Sequence, residues 1–161
     1  MTTLAVMRPA FYPGYMAASV AHYAEDNIAS GRWPAQGAHA RSRSEWDSLL
    51  PQGLATPNNH LFEIEATAQG PTIGALWIAI EERHGQRSAF VFDVGIDPPW
   101  RRQGHALRTF EALESLAREL GASHIGLHVF GRNAGAQALY AKLGYAVTGI
   151  NLQKRLTPPA G

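Results

Sequence analysis

The chain has 161 residues, 45% of them hydrophobic and 17% charged, which fits one ordinary globular domain with room for a substantial core. With 14 Lys and Arg against 13 Asp and Glu, the net charge of +1 excludes a nucleic-acid footprint spread over the whole molecule, and no apolar run reaches the roughly 18 residues of a membrane-spanning helix. The absence of cysteine excludes a disulfide framework, a thiolate metal site and a cysteine nucleophile, and a cytoplasmic location is expected. A single domain is expected over residues 1–157, with residues 158–161 as a frayed tail.

Residues 4–8 read as a short opening strand that Pro9 closes. From 11 to 30, Met16, Val20, Tyr23, Ala24 and Ile28 recur at helical spacing, and Gly31 stops the helix. Pro34 suits a helix first turn, and Ala38, Ser42, Trp46 and Leu49 carry a second helix to Pro51. After a loop at 52–59, strands are expected at 60–66, 72–82 and 88–96, the last two joined by a polar hairpin containing Gly85. A helix follows over 104–120, with Leu107, Phe110, Leu113, Leu116 and Leu120 on its inner face and Gly121 as a left-handed stop. Residues 124–130 read as a strand, 134–143 as a helix capped by Gly144, and 145–156 as a final strand. The order β-α-α-β-β-β-α-β-α-β mixes antiparallel hairpins with two crossovers, which predicts an α/β (α+β) fold with a mixed sheet and helices on both faces.

Two stretches carry chemistry. Between the strand at 88–96 and the following helix lies Ile96-Asp97-Pro98-Pro99-Trp100-Arg101-Arg102-Gln103-Gly104-His105-Ala106. A strand, a short basic turn and a helix start with small residues make an anion cradle, because the helix N-terminus presents unpaired N–H groups and the positive end of its dipole. One strand further on stand Asn133, Ala136 and Tyr140, followed by the pair Gly144-Tyr145. Neither stretch contains the Gly-x-x-x-x-Gly-Lys-Ser/Thr of a nucleoside-triphosphate loop or the Gly-x-Gly-x-x-Gly of a dinucleotide fold. The histidines do not cluster at metal-ligand spacing, so no metal is expected.

In this order the two stretches make the chain resemble the GNAT superfamily of acetyl-CoA-dependent N-acetyltransferases, most strongly over residues 89–145. The superfamily's pyrophosphate signature, Arg/Gln-x-x-Gly-x-Gly/Ala, is matched by Arg101, Arg102, Gln103, Gly104, His105 and Ala106. Its second signature is matched by Asn133, Ala136, Tyr140, Gly144 and Tyr145. The resemblance implies a mostly antiparallel sheet of six to seven strands with splayed central strands. It also implies acetyl-CoA as acyl donor and direct transfer of the acetyl group to a primary amine in a ternary complex. The pantetheine arm would pair with backbone freed near Val94 and Ile96, as an added strand does. Gly95 is expected to mark a bulge whose N–H polarises the thioester carbonyl. His105 or Arg108 would reach the ribose phosphate, and Asn133 would help hold the cofactor. Tyr140 would serve as general acid. Asp93 is the expected base, alternating with Val91 and Gly95 on one face of its strand. Arg102 departs from the glycine that many relatives carry at its place.

Each assignment has a plainer counterpart. A basic helix start can be a solvated surface, Tyr140 can be a packing ring with its hydroxyl in water, and Asp93 can be a structural acid. His128 or water are alternative bases, although a satisfied, partly buried histidine explains His128. Glu63 and Glu65 read as members of solvated faces and Trp33 as a core or helix-packing residue, although the resemblance implies that its connection borders the acceptor cleft. The expected acceptor is a small-molecule or peptide amine, and neither nucleic acid nor membrane is expected as a partner. A monomer or a homodimer is compatible with exposed sheet edges near the C-terminal strand. A non-catalytic acetyl-CoA sensor, a degenerate domain and a transferase for longer acyl chains are the alternatives.

Overall fold

The protein is described by a computed structural model over residues 1–159. Its strands are β1 (Thr3–Val6), β2 (Asn59–Glu65), β3 (Thr72–Arg83), β4 (Gln86–Ile96) and β5 (His124–Leu127), and its helices are α1 (Tyr12–Ala29), α2 (Ala38–Leu49), α3 (His105–Glu119) and α4 (Ala134–Lys142). The sheet runs in the order β1-β2-β3-β4-β5, antiparallel except for the parallel β4–β5 pair that α3 connects. Among the described residues no helix is long and apolar enough to cross a membrane.

The centre of the sheet falls on β3 because its residues are apolar on both faces, and both faces are covered. Leu76, Ile78 and Ile80 pack with Phe110, Leu113 and Ala117 of α3 on one side. Ala75 and Trp77 pack with Tyr15, Met16 and Val20 of α1 and Trp46 of α2 on the other. Burying a side chain such as Phe110 or Leu113 contributes about 1.5–3 kcal/mol each. The expected hairpin turns through His84 and Gly85, both at positive φ, and Gly121 and Gly144 end α3 and α4 in the left-handed region.

The structure corrects three expectations about the fold. The sheet has five strands among the described residues, not six or seven, because residues 145–159 form neither helix nor strand and every residue from 146 to 159 is exposed. Apolar alternation makes a segment competent to pair, but the pairing itself depends on a sheet edge that this segment does not reach. Pro158 and Pro159 of the expected frayed tail likewise lie outside any element, while 160 and 161 fall outside the described residues.

The bulge in β4 is at Phe92 rather than Gly95. Trp77 faces Asp93 and Ile78 faces Val91, so Phe92 is the extra residue in the ladder. That insertion breaks the alternation read from the sequence. Val91, Val94 and Ile96 pack toward α3, whereas Phe92 stacks on Trp77 at 4.6 Å and Asp93 faces α1. Gly95 instead keeps ordinary register opposite Ala75, and its carbonyl lies where a Cβ on Gly74 would stand, so the close approach requires glycine at 74.

Glu63 is not on a solvated face. It is 2% exposed and is held by Arg8 through Nε at 2.9 Å and Nη2 at 2.7 Å, with further hydrogen bonds from the Arg8 N–H and the Thr72 hydroxyl. These donors hold its carboxyl down at about 2, the Arg8 side chain contributing most.

Candidate active site

The turn after β4 leaves a row of amides without backbone acceptors. Pro98–Trp100 forms a single 3-10 turn, Arg101 is extended, Arg102 lies at φ 59° and Gly104 at φ 81°, and α3 then begins at His105. The first backbone bond of the helix runs from Arg108 N to Gly104 O at 3.2 Å, so the N–H groups of 102–106 point out of the helix start. The left-handed backbone at Arg102 explains why glycine suits that position in the signature: the region costs a residue with a Cβ about 1–2 kcal/mol. Arg101 is tethered by Nε to the Ile96 carbonyl at 2.8 Å, which fixes its guanidinium beside those amides.

Two side chains of the turn do not face outward as expected. His105 is buried, with Nδ1 2.9 Å from the Thr2 hydroxyl and its ring edge-on to Trp100. Arg108 donates to Thr2 and to the Gln103 carbonyl at 2.9 Å. Position 105 therefore offers an amide rather than a ring, and Arg108 stiffens the turn from inside. Gln103 braces it too, donating to the Pro99 carbonyl at 3.1 Å.

Beside this cradle the sheet parts. β4 and β5 pair only from Ser88↔His124 to Val91↔Leu127. Beyond that point β4 continues to Ile96 while 128–130 leave the sheet, so the β5-facing side of residues 92–96 is open and the bulge lies at the point of separation. The Val94 and Ile96 side chains are turned into the core under α3, which leaves backbone as what those positions present to the gap.

Asp93 lies on β4 just past the point of separation, and Tyr140 is near enough for the Asp93 charge to act on its hydroxyl. The Tyr15 hydroxyl, on α1, donates to Asp93 Oδ2 at 2.8 Å. Burial pushes the Asp93 carboxyl above its ordinary value, opposed chiefly by that hydrogen bond, and burial pushes the Tyr15 hydroxyl well up. Tyr140, on α4, packs edge-on against Phe110 and Tyr145, with centroids at 5.4 and 5.7 Å. Its hydroxyl, already protonated at neutral pH, is raised further by burial first and by the Asp93 charge second. Asn133 is the N-cap of α4: its Oδ1 accepts from the Ala136 N–H at 3.1 Å, so these two motif positions define a helix start. His128, beside Phe130, is lowered by burial and by Arg32. A cavity of about 270 Å³ is lined by Asp26, Phe130, Arg132 and Asn133, between α1 and the loop leading to α4. Trp33 is edge-on to Tyr23 with the Arg41 guanidinium over its ring, packed at the junction of the first two helices.

Sequence reading missed Tyr15 and Asn27. Tyr15 lies 78 positions from Asp93, and nothing local marks the pair. Asn27 is fully buried; its side chain donates to the Tyr23 carbonyl, and its own carbonyl accepts from Arg32 and Trp33 N–H, which shapes the connection into α2. The spacing of Asn27 just before Gly31 is a helix-end signal that was there to be read. Among the described residues no group of His, Asp and Glu is arranged to hold a metal ion.

The chain belongs to the acetyltransferase (GNAT) family, whose sequence model matches residues 22–145. It is 34% identical over 153 residues to YycN of Bacillus subtilis (strain 168), described as an uncharacterized N-acetyltransferase, covering 95% of this chain and 97% of that protein. It is likewise 34% identical to YdgE of the same organism, an uncharacterized N-acetyltransferase, over 96% of this chain and 98% of that one. The crystal structure of YycN superposes with a TM-score of 0.93 at 33% identity, covering 98% of this chain and 99% of YycN. A more distant fold neighbour, AAC(6')-Iy in complex with a CoA-based bisubstrate analog, superposes with a TM-score of 0.58 at 16% identity, covering 98% of this chain and 99% of that one.

Proposed function

We propose that this acetyltransferase moves an acetyl group from acetyl-CoA to a primary amine by direct transfer in a ternary complex. The observation that carries the reading is the parting of β4 and β5 beside the amides of 102–106, with Asp93 and Tyr140 within electrostatic reach of one another at its margin. When bound, acetyl-CoA supplies an activated thioester. The residues present suit it: the free amides, with Arg101 and Arg102, match a pyrophosphate in charge and donor direction, and the unpaired edge of residues 92–96 matches an amide-bearing arm.

The remaining steps belong to this chain. The backbone released at the Phe92 bulge offers an N–H to the negative charge that gathers on the carbonyl oxygen during attack. The amine must be neutral to attack, and the Asp93 carboxylate accepts the proton it sheds. As the carbon–sulfur bond breaks, the Tyr140 hydroxyl gives its proton to the departing sulfur and regains one from solvent. Tyr15 orients the Asp93 carboxylate from beneath.

Incubating the protein with acetyl-CoA and a panel of primary amines, with free thiol as the readout, tests this. Amine-dependent thiol release is the expected result. Tight acetyl-CoA binding without thiol release across the panel would favour the sensor reading instead.

A further inference from the structure

The start of α3 is left open where helix starts are ordinarily closed. Gly104, its N-cap, supplies no side-chain cap, and the first turn holds no acidic residue. α4 is built the other way, with the Asn133 side chain accepting from the Ala136 N–H of its own helix start. A cap on α3 would occupy amides that the functional reading needs for a diphosphate, so the order a cap provides has to come from elsewhere. The need is sharpened by the left-handed backbone at Arg102 and Gly104, which persists only where the surroundings hold it.

That order comes from the far end of the chain. Thr2 is 4% exposed and immediately precedes β1, which is paired to β2 from Thr3↔Glu65 onward. Its hydroxyl accepts from Arg108 Nε at 3.0 Å and lies 2.9 Å from His105 Nδ1. A guanidinium only donates, so the Thr2 proton is free for Nδ1, and one hydroxyl joins the two side chains. Arg108 Nη2 reaches on to the Gln103 carbonyl at 2.9 Å. The guanidinium lies so close to the turn that a Cβ on Gly104 would stand 2.7 Å from Nη1. His105 sets its ring edge-on to Trp100, at the end of the 3-10 turn. From β1 the connection thus runs through Thr2 to two points of the turn, to Trp100 by way of His105 and to Gln103 by way of Arg108. None of these bonds uses a backbone N–H of 102–106.

We propose, on the functional reading above, that Thr2 is a positioning residue for acetyl-CoA: through Arg108 and His105 it holds the 102–106 amides ready for the diphosphate without touching it. Bracing from behind does the work of a cap and leaves the amides free. It also lowers the ordering that binding would otherwise require, so its loss belongs in affinity and not in turnover.

Thr2→Val keeps the size of the side chain and removes the hydroxyl. Calorimetry should show the dissociation constant for acetyl-CoA raised about tenfold, the scale of one buried hydrogen bond, with Thr2→Ser restoring it to within about twofold. With an amine found by thiol release, kcat at saturating acetyl-CoA should be unchanged. Arg108→Lys keeps the charge but loses the forked donors, so it should weaken binding comparably. Combining it with Thr2→Val should cost little more than Arg108→Lys alone. In the ligand-free proteins, amide resonances of 102–106 should move in Thr2→Val while those of β2 and β3 stay. Should Thr2→Val fail to fold, Thr2→Ala and Arg108→Lys carry the same expectations. Unchanged affinity, no restoration by serine, a fall in kcat or fully additive losses would each overturn the proposal and leave the functional reading standing. Failure of the unaltered protein to bind acetyl-CoA would remove both.

Discussion

The two flanks of the sheet obey opposite rules. From β1 through β3 each strand is paired along nearly its whole length, and the charged group buried there, Glu63, has four donors converging on it. From Phe92 onward β4 has a partner on one side only, β5 pairs for four residues, and the chain beyond Tyr145 pairs with nothing described. Unpaired backbone is costly in a protein that has no use for it. Along β4 that backbone lies beside the basic turn and Asp93, where the proposed ligand, itself rich in amides and phosphates, would satisfy it. The rigid flank holds the open one in shape.

Three substitutions should separate those roles. The largest effect belongs to the open flank: Tyr140→Phe should lower kcat by about 100- to 1000-fold while changing the dissociation constant of acetyl-CoA little, as measured by steady-state kinetics and calorimetry. Equal losses in binding and turnover would make Tyr140 a packing residue. Asp93→Asn should lower kcat about 100-fold at neutral pH. Burial raises the Asp93 carboxyl, so the wild-type rate should fall as pH drops through a value above the ordinary 3.8, and the gap between the two proteins should narrow there. A gap that stays constant with pH would remove Asp93 as the base and pass the role to His128 or water.

The smallest effect belongs to the rigid flank. Glu63→Gln should leave kcat unchanged and reduce unfolding stability at neutral pH by about 2 kcal/mol. Its folded value of about 2 lies below the ordinary 4.5, so its contribution is present above about pH 4.5 and disappears as pH falls toward 2. Urea titrations across that range should show the wild type and the variant converging in acid.

What could be read from the sequence follows from how local each signal is. The helical stripes of α1 and α3, the His84-Gly85 hairpin and the left-handed stops at Gly121 and Gly144 are each set by a few neighbouring residues, and all were legible. The amide cradle was legible as well, because a basic turn entering a helix is one continuous stretch. The inward turn of His105 was not, since it depends on Thr2 at the far end of the chain. Nor was the bulge: Phe92 becomes the extra residue only when Trp77 and Ile78 take their partners across the ladder, and that one insertion moves Asp93 to the α1 face and into the hands of Tyr15. Period-two alternation assumes an unbroken ladder, so it put Asp93 on the same face as Val91, whereas the bulge turns the two to opposite faces. The final strand failed for a related reason, since residues 145–156 carry the pattern of a strand without a place beside their own β5.

The account depends on acetyl-CoA lying in the gap between β4 and β5 with its pyrophosphate on the turn before α3. Amide proton and nitrogen resonances followed during an acetyl-CoA titration test this directly. The predicted result is that the largest shifts fall on 102–106 and 92–96, with β1 and β2 silent. Shifts centred elsewhere, or none at millimolar ligand, would contradict it.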